Sequence, residues 1–103
     1  MGTEEQEYVW VFHGANGRFT SGVFTTRKTA EKWINENTLT GILTKYPVNQ
    51  GVYNWSINNG YFKVKKEEQK SPDFIQRFTT ASQEHYHYED GGLDPPRISE
   101  PTE

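Results

Sequence analysis

The run Glu84-His85-Tyr86-His87-Tyr88-Glu89 gathers the side chains of this sequence best suited to chemistry. Its strict alternation reads as a β-strand, in which alternate residues share a face. His85, His87 and Glu89 would then project together, with about 6–7 Å between successive neighbours. Two imidazoles and a carboxylate suit a divalent transition metal, and the same groups could exchange protons with a small molecule. The plainer reading turns Tyr86 and Tyr88 inward and leaves both histidines and Glu89 in water. It is the favoured one, because short His-x-His strings arise by chance. His13 is the third and last histidine. It can join the row only if the last strand lies beside the first.

Other chemistry is harder to build. His13-Gly14-Ala15-Asn16-Gly17-Arg18 has the glycines of a phosphate loop, but such a loop must lead into a helix whose N-terminus faces the anion. Here a second strand follows, so a hairpin turn is expected, with Arg18 at its tip able to hold a carboxylate. None of Ser21, Ser56, Ser71 or Ser82 sits in a nucleophile elbow. Glu84, Glu89 and Asp90 carry no sign of a glycosidase pair. Lys63–Lys70 interleaves lysines with Glu67 and Glu68, the pattern of a solvated loop. No catalytic residue and no cofactor are assigned. The candidate binding residues are His13, Arg18, His85, His87 and Glu89, with His85 and His87 as the weak metal candidates.

These residues must be held by a small fold. Tyr8–His13 is a β-branched and aromatic run, apolar on both faces, expected as a strand near the sheet centre and covered on both sides. Phe19–Thr25 pairs with it as a hairpin. Thr26 caps a helix over Arg27–Glu36, with Ala30, Trp33, Ile34 and Asn37 on one stripe. Gly41–Val48 reads as a third strand ending near Pro47. Val52–Asn59 reads as a short helix and Tyr61–Lys65 as a short strand. Ser71-Pro72-Asp73 starts a helix running to about Thr79. Gln83–Glu89 closes the sheet. The expected fold class is α+β: a single-layer antiparallel or mixed sheet of four to five strands, with two to three helices mainly on one face. Residues 1–92 would form the single domain, and 93–103, with three prolines, a disordered tail.

Composition narrows the rest. Only 32% of the 103 residues are hydrophobic, but 15% are aromatic, so a few large rings must build the core. Tyr8, Trp10, Phe12, Phe19, Phe24, Trp33, Trp55, Phe62, Phe74 and Phe78 are the expected anchors. A net charge of −3 argues against a general nucleic-acid binder. No apolar run approaches the ~18 residues of a membrane span. The absence of cysteine removes disulfides and thiolate chemistry, and in so small a domain it favours the cytoplasm.

Several segments together resemble a small bacterial domain family of unknown function. They are Val9-Trp10-Val11-Phe12-His13-Gly14, Phe19-Thr20-Ser21-Gly22-Val23-Phe24, Ala30-Glu31-Lys32-Trp33-Ile34, Leu39-Thr40-Gly41, Tyr46-Pro47, Tyr53-Asn54-Trp55 and the closing Ser82–Gly91 stretch. The resemblance covers most of positions 8–91 and implies no established activity. The leading functional reading is a non-enzymatic module that binds another protein, immunity-like or regulatory, its acidity suiting a basic partner. The alternative is a small-molecule or divalent-metal site on the sheet, using His85, His87 and Glu89. Oligomeric state is left open.

Overall fold

The computed structural model describes residues 5–95. Five strands form one sheet, antiparallel throughout: β1 (Tyr8–Gly14), β2 (Thr20–Phe24), β3 (Gly41–Pro47), β4 (His85–Glu89) and the two-residue β5 (Gly92–Leu93), in the order β2-β1-β3-β4-β5. The pairing stacks Phe24 and Lys45 either side of Trp10, and Gly22 and Leu43 either side of Phe12. Leu43 in turn meets Tyr86, and Gly41 meets Tyr88. One face of the sheet therefore collects Trp10, Phe12, Phe24, Leu43, Tyr86 and Tyr88.

Helix α1 (Arg27–Glu36) lies on that face. The Thr26 hydroxyl accepts from the Thr29 amide at 3.1 Å, which fixes the start of the helix. The apolar stripe then buries Ala30 and Ile34 completely. Trp33 stands edge-on to Phe12, with ring centroids 5.7 Å apart, and tilts over Phe24 at 5.3 Å. At the other border of the helix the Tyr88 hydroxyl donates to the Glu31 carboxylate. Arg27 Nε donates to the same carboxylate at 3.0 Å while its guanidinium lies 3.7 Å above the Tyr86 ring. Polar contacts thus join β4 to α1 where the aromatic stack gives out.

A second aromatic cluster forms below the sheet. Helix α2 (Val52–Asn58), a 3-10 turn (Glu67–Lys70) and helix α3 (Pro72–Gln76) enclose Tyr53, Phe62, Phe74 and Phe78. Phe62 and Phe78 are 5.0 Å apart, Tyr53 and Phe78 5.6 Å. The Tyr53 hydroxyl donates to the Gln69 carbonyl at 2.9 Å. Trp55, two residues on, reaches the sheet instead and donates its indole N–H to the Tyr8 hydroxyl at 3.1 Å. Ser71 caps α3 by accepting from the Phe74 amide.

Several expectations need correction. Tyr61–Lys65 is not a strand: the Tyr61 and Phe62 amides both donate to the Ser56 carbonyl, closing the end of α2, and so make no ladder. Helix α3 stops at Gln76, with Arg77 as its cap. Phe19, expected in the core, is 76% exposed. β1 is covered on one side only, since Val9 and Val11 are half-buried while Trp10 and Phe12 are buried. Leu93 pairs with Tyr88 and packs on the core, so strand pairing runs past the boundary drawn at position 92. Residues 96–103 of the expected tail lie outside the described residues. Among the described residues no helix is long and apolar enough to cross a membrane.

Two features can be tested. A Cβ on Gly41 would lie 2.4 Å from the His13 carbonyl oxygen and 2.9 Å from Gly14 Cα, both backbone atoms that cannot step aside. Gly41→Ala should lower stability in urea melts by about 1–3 kcal/mol. Gly14→Ala, with nothing nearer than 3.9 Å, should stay within about 0.5 kcal/mol. The second feature is Tyr88. Burial, and then the hydrogen bond to Glu31, hold its hydroxyl well above the ordinary tyrosine value of 10. The unfolded chain therefore loses this proton first as pH rises, so the contribution is complete below about pH 10 and is lost above it. Tyr88→Phe should cost about 1–2 kcal/mol at neutral pH and should flatten the fall in stability above pH 10.

Candidate functional site

Strand parity sets a group of side chains on the face opposite α1. They include Val9, Val11 and His13 of β1, Val23 of β2, Ile42, Thr44 and Tyr46 of β3, and His85, His87 and Glu89 of β4. Val23, Val11, Thr44 and His85 form one row across four strands, and His13, Ile42 and His87 the next. Val23 is 61% exposed and Ile42 39%. An uncovered antiparallel face normally alternates to polar residues. This one keeps Val9, Val11, Val23 and Ile42 among its polar residues, and of these positions only Glu89, at the end of β4, is Asp, Glu, Lys or Arg.

The five candidate residues separate. The Gly14–Gly17 turn joins an antiparallel pair, as a hairpin must. His13 Nε2 donates to the Gly17 carbonyl at 2.7 Å and so belongs to that turn. β3 intervenes between β1 and β4, which leaves His13 and His87 on either side of Ile42, about 10 Å apart at two strand spacings. Arg18 is exposed at the turn, its guanidinium 5.7 Å from the Phe19 ring. Glu89 shares the face of His85 and His87 by parity and pairs with Gly92. Only His85 and His87 come together, with ring centroids 5.6 Å apart and planes at 74°. Among the described residues no three His, Cys, Asp or Glu side chains form a group that could hold a metal ion.

What the sequence did not reveal is the segment over these two rings. Residues 79–82 leave Phe78 in the lower aromatic cluster and cross the uncovered face beside β3 and β4. Gln83 fixes the far end. It is 3% exposed, its amide donates to the Lys45 carbonyl at 3.1 Å, and its backbone N–H donates to the Thr80 carbonyl at 3.3 Å. The Ser82 amide donates to the Thr80 hydroxyl at 3.1 Å. Between this strap and the sheet is an open groove of about 300 Å³. Its sheet wall is Ile42, Thr44, Tyr46, His85 and His87, and its outer wall Thr79 to Ala81 with Gln83. The Gln83 carbonyl also meets His85 Nδ1 at 2.7 Å. A carbonyl only accepts, so Nδ1 carries the proton and neutral His85 presents a bare Nε2 lone pair.

Residues 9–94 match the model of a family described as a domain of unknown function (DUF7710). The chain belongs to that family. The matched span contains the uncovered face, the strap and all of α1, so the DUF7710 domain is the whole sheet-and-helix unit together with the lower cluster. No curated protein and no solved structure matches the chain.

Proposed function

We propose that this DUF7710 domain is a non-enzymatic module of the bacterial cytoplasm whose partner is another protein, docked on the sheet face opposite α1. The observation that carries the reading is the composition of that face: among the positions that strand parity places there on four strands, Glu89 at the end of β4 is the one formally charged side chain, in a chain that is 24% charged. Depletion of charge at the centre, with apolar and aromatic residues in its place, is what distinguishes the core of a protein interface from ordinary surface. β2 adds to it, because it is an edge strand flanked by the exposed Phe19 ring. The net charge of −3 favours a partner with a basic rim, which association would steer toward the acidic surface. A toxin-neutralising or regulatory role fits both properties, and the same charge disfavours nucleic acid.

The test places a photo-crosslinking amino acid at Val23 or Ile42, with Lys28 on the exposed side of α1 as the control, in cells that make the protein naturally. One discrete adduct is expected from Val23 and Ile42 and none from Lys28. The captured protein, purified, should bind the wild-type domain directly. Val23→Asp combined with Ile42→Asp should weaken that complex by about 2 kcal/mol or more. Diffuse labelling, or the same adduct from Lys28, would refute the reading.

A further inference from the structure

The groove between the strap and β3–β4 shares Ile42, Thr44, Tyr46, His85 and His87 with the open face, and the strap gives it a chemistry of its own. At about 300 Å³ it matches the lower end of small-molecule sites. Ile42, Tyr46 and Ala81 supply apolar wall, and the hydroxyl-bearing Thr44, Thr79 and Thr80 are placed among them. The lining contains no Asp, Glu, Lys or Arg. Two imidazoles are its only titratable groups apart from the Tyr46 phenol.

His85 decides what such a groove can hold. Its Nδ1–H is committed to the Gln83 carbonyl at 2.7 Å. Neutral, the ring offers the groove only an acceptor. With Nδ1–H held by the Gln83 carbonyl, the protonated ring can donate from Nε2 to an anion in the groove. A cationic ligand would find no carboxylate to pair with. Glu84 points to the α1 side, where it pairs with Lys45 at 3.8 Å and accepts from Tyr86. Glu89 lies two residues beyond His87 on the same face, and His13 stands across Ile42; neither lines the groove.

We propose that this groove binds a small organic carboxylate with an apolar body, of the size of benzoate, whose carboxylate pairs with His85 protonated at Nε2. The ring proton comes from solvent on binding, and no bond of the ligand is broken. His87, edge-on to His85 at 5.6 Å, and the threonine hydroxyls supply the remaining hydrogen bonds.

The experiment is an NMR titration of the full chain with benzoate, alongside benzyl alcohol and benzylamine as uncharged and cationic probes of the same shape. Methyl signals of Ile42, Thr44 and Ala81 report occupancy, and the imidazole ¹⁵N signals report the protonation of His85. Benzoate should move all three methyl signals and convert His85 Nε2 to the protonated form. Benzyl alcohol and benzylamine should bind at least about tenfold more weakly. His85→Gln, which keeps a polar side chain but cannot take the proton, should lose about tenfold in benzoate affinity, while His13→Gln should bind as the wild type does. The proposal is overturned by methyl signals that stay still up to the solubility of benzoate, by equal binding of the three probes, or by binding that leaves His85 neutral. None of these results bears on the photo-crosslinking at Val23.

Discussion

A single ten-residue helix has to bury the face of a five-stranded sheet, and the rest of the molecule follows from how far it reaches. At 1.5 Å per residue α1 is about 15 Å long, the width of roughly three strand spacings. It seals β1 and β3 with its own stripe, Ala30 and Ile34 against Phe12 and Leu43. Its two borders are closed by different means. Toward β2 the Trp33 ring spans Phe12 and Phe24. Toward β4 the closure is polar, through Glu31, Arg27, Tyr88 and Tyr86, because that strand offers tyrosines where the helix offers its charged flank. A hydroxyl on a carboxylate that also holds an arginine is satisfied on both sides, which is why Tyr88 can be 4% exposed without an orphaned oxygen.

With α1 committed to one face, nothing of comparable size remains for the other. The segment after β3 spends its aromatic residues on its own cluster of Tyr53, Phe62, Phe74 and Phe78. It reaches the sheet through Trp55 at the Tyr8 end and through the strap of residues 79–82. The strap covers only the β3–β4 part of the open face. The groove and the broad apolar face are therefore two consequences of the same shortage of cover. They differ in that the strap walls the groove on one side, while the rest of the face is bare.

Much of this was legible in the sequence wherever the signal is local. The bounds of α1 follow from the Thr26 cap and from the spacing of Ala30, Trp33 and Ile34, all within one helix. The alternation of His85 to Glu89 correctly separates the tyrosines from the histidines. What failed depends on residues far apart in the chain. The Val9–Val11 run reads the same whether its outer face is buried by a second layer or left open, and only the count of available helices decides. Tyr61 and Phe62 have strand propensity, but the Ser56 carbonyl takes both amides. β5 is two residues long and carries no pattern. The strap has no sequence signature, since Thr79 to Ser82 are ordinary loop residues until Gln83 anchors to Lys45, 38 positions away.

The charges give the last step. The chain has enough of them to cover any surface, yet on the open face strand parity places only Glu89, at the end of β4, and ion pairs form elsewhere: Arg27 with Glu31 and Lys32 with Glu36 on α1, Lys45 with Glu84 on the α1 side of the sheet, Lys70 with Glu67 and Arg77 with Asp73 around the lower cluster. Exposed pairs of this kind contribute about 0–1 kcal/mol each, so their positions are not required by the fold. Placing one lysine at Val23 or Ile42 would cost little stability and would blunt an edge strand that otherwise invites unwanted pairing. The face instead keeps valine, isoleucine and the His87 imidazole in contact with water. Such a surface is a liability to a protein that leaves it bare and an asset to one that covers it, and this asymmetry makes a docked partner the better account of the open face than solvent alone.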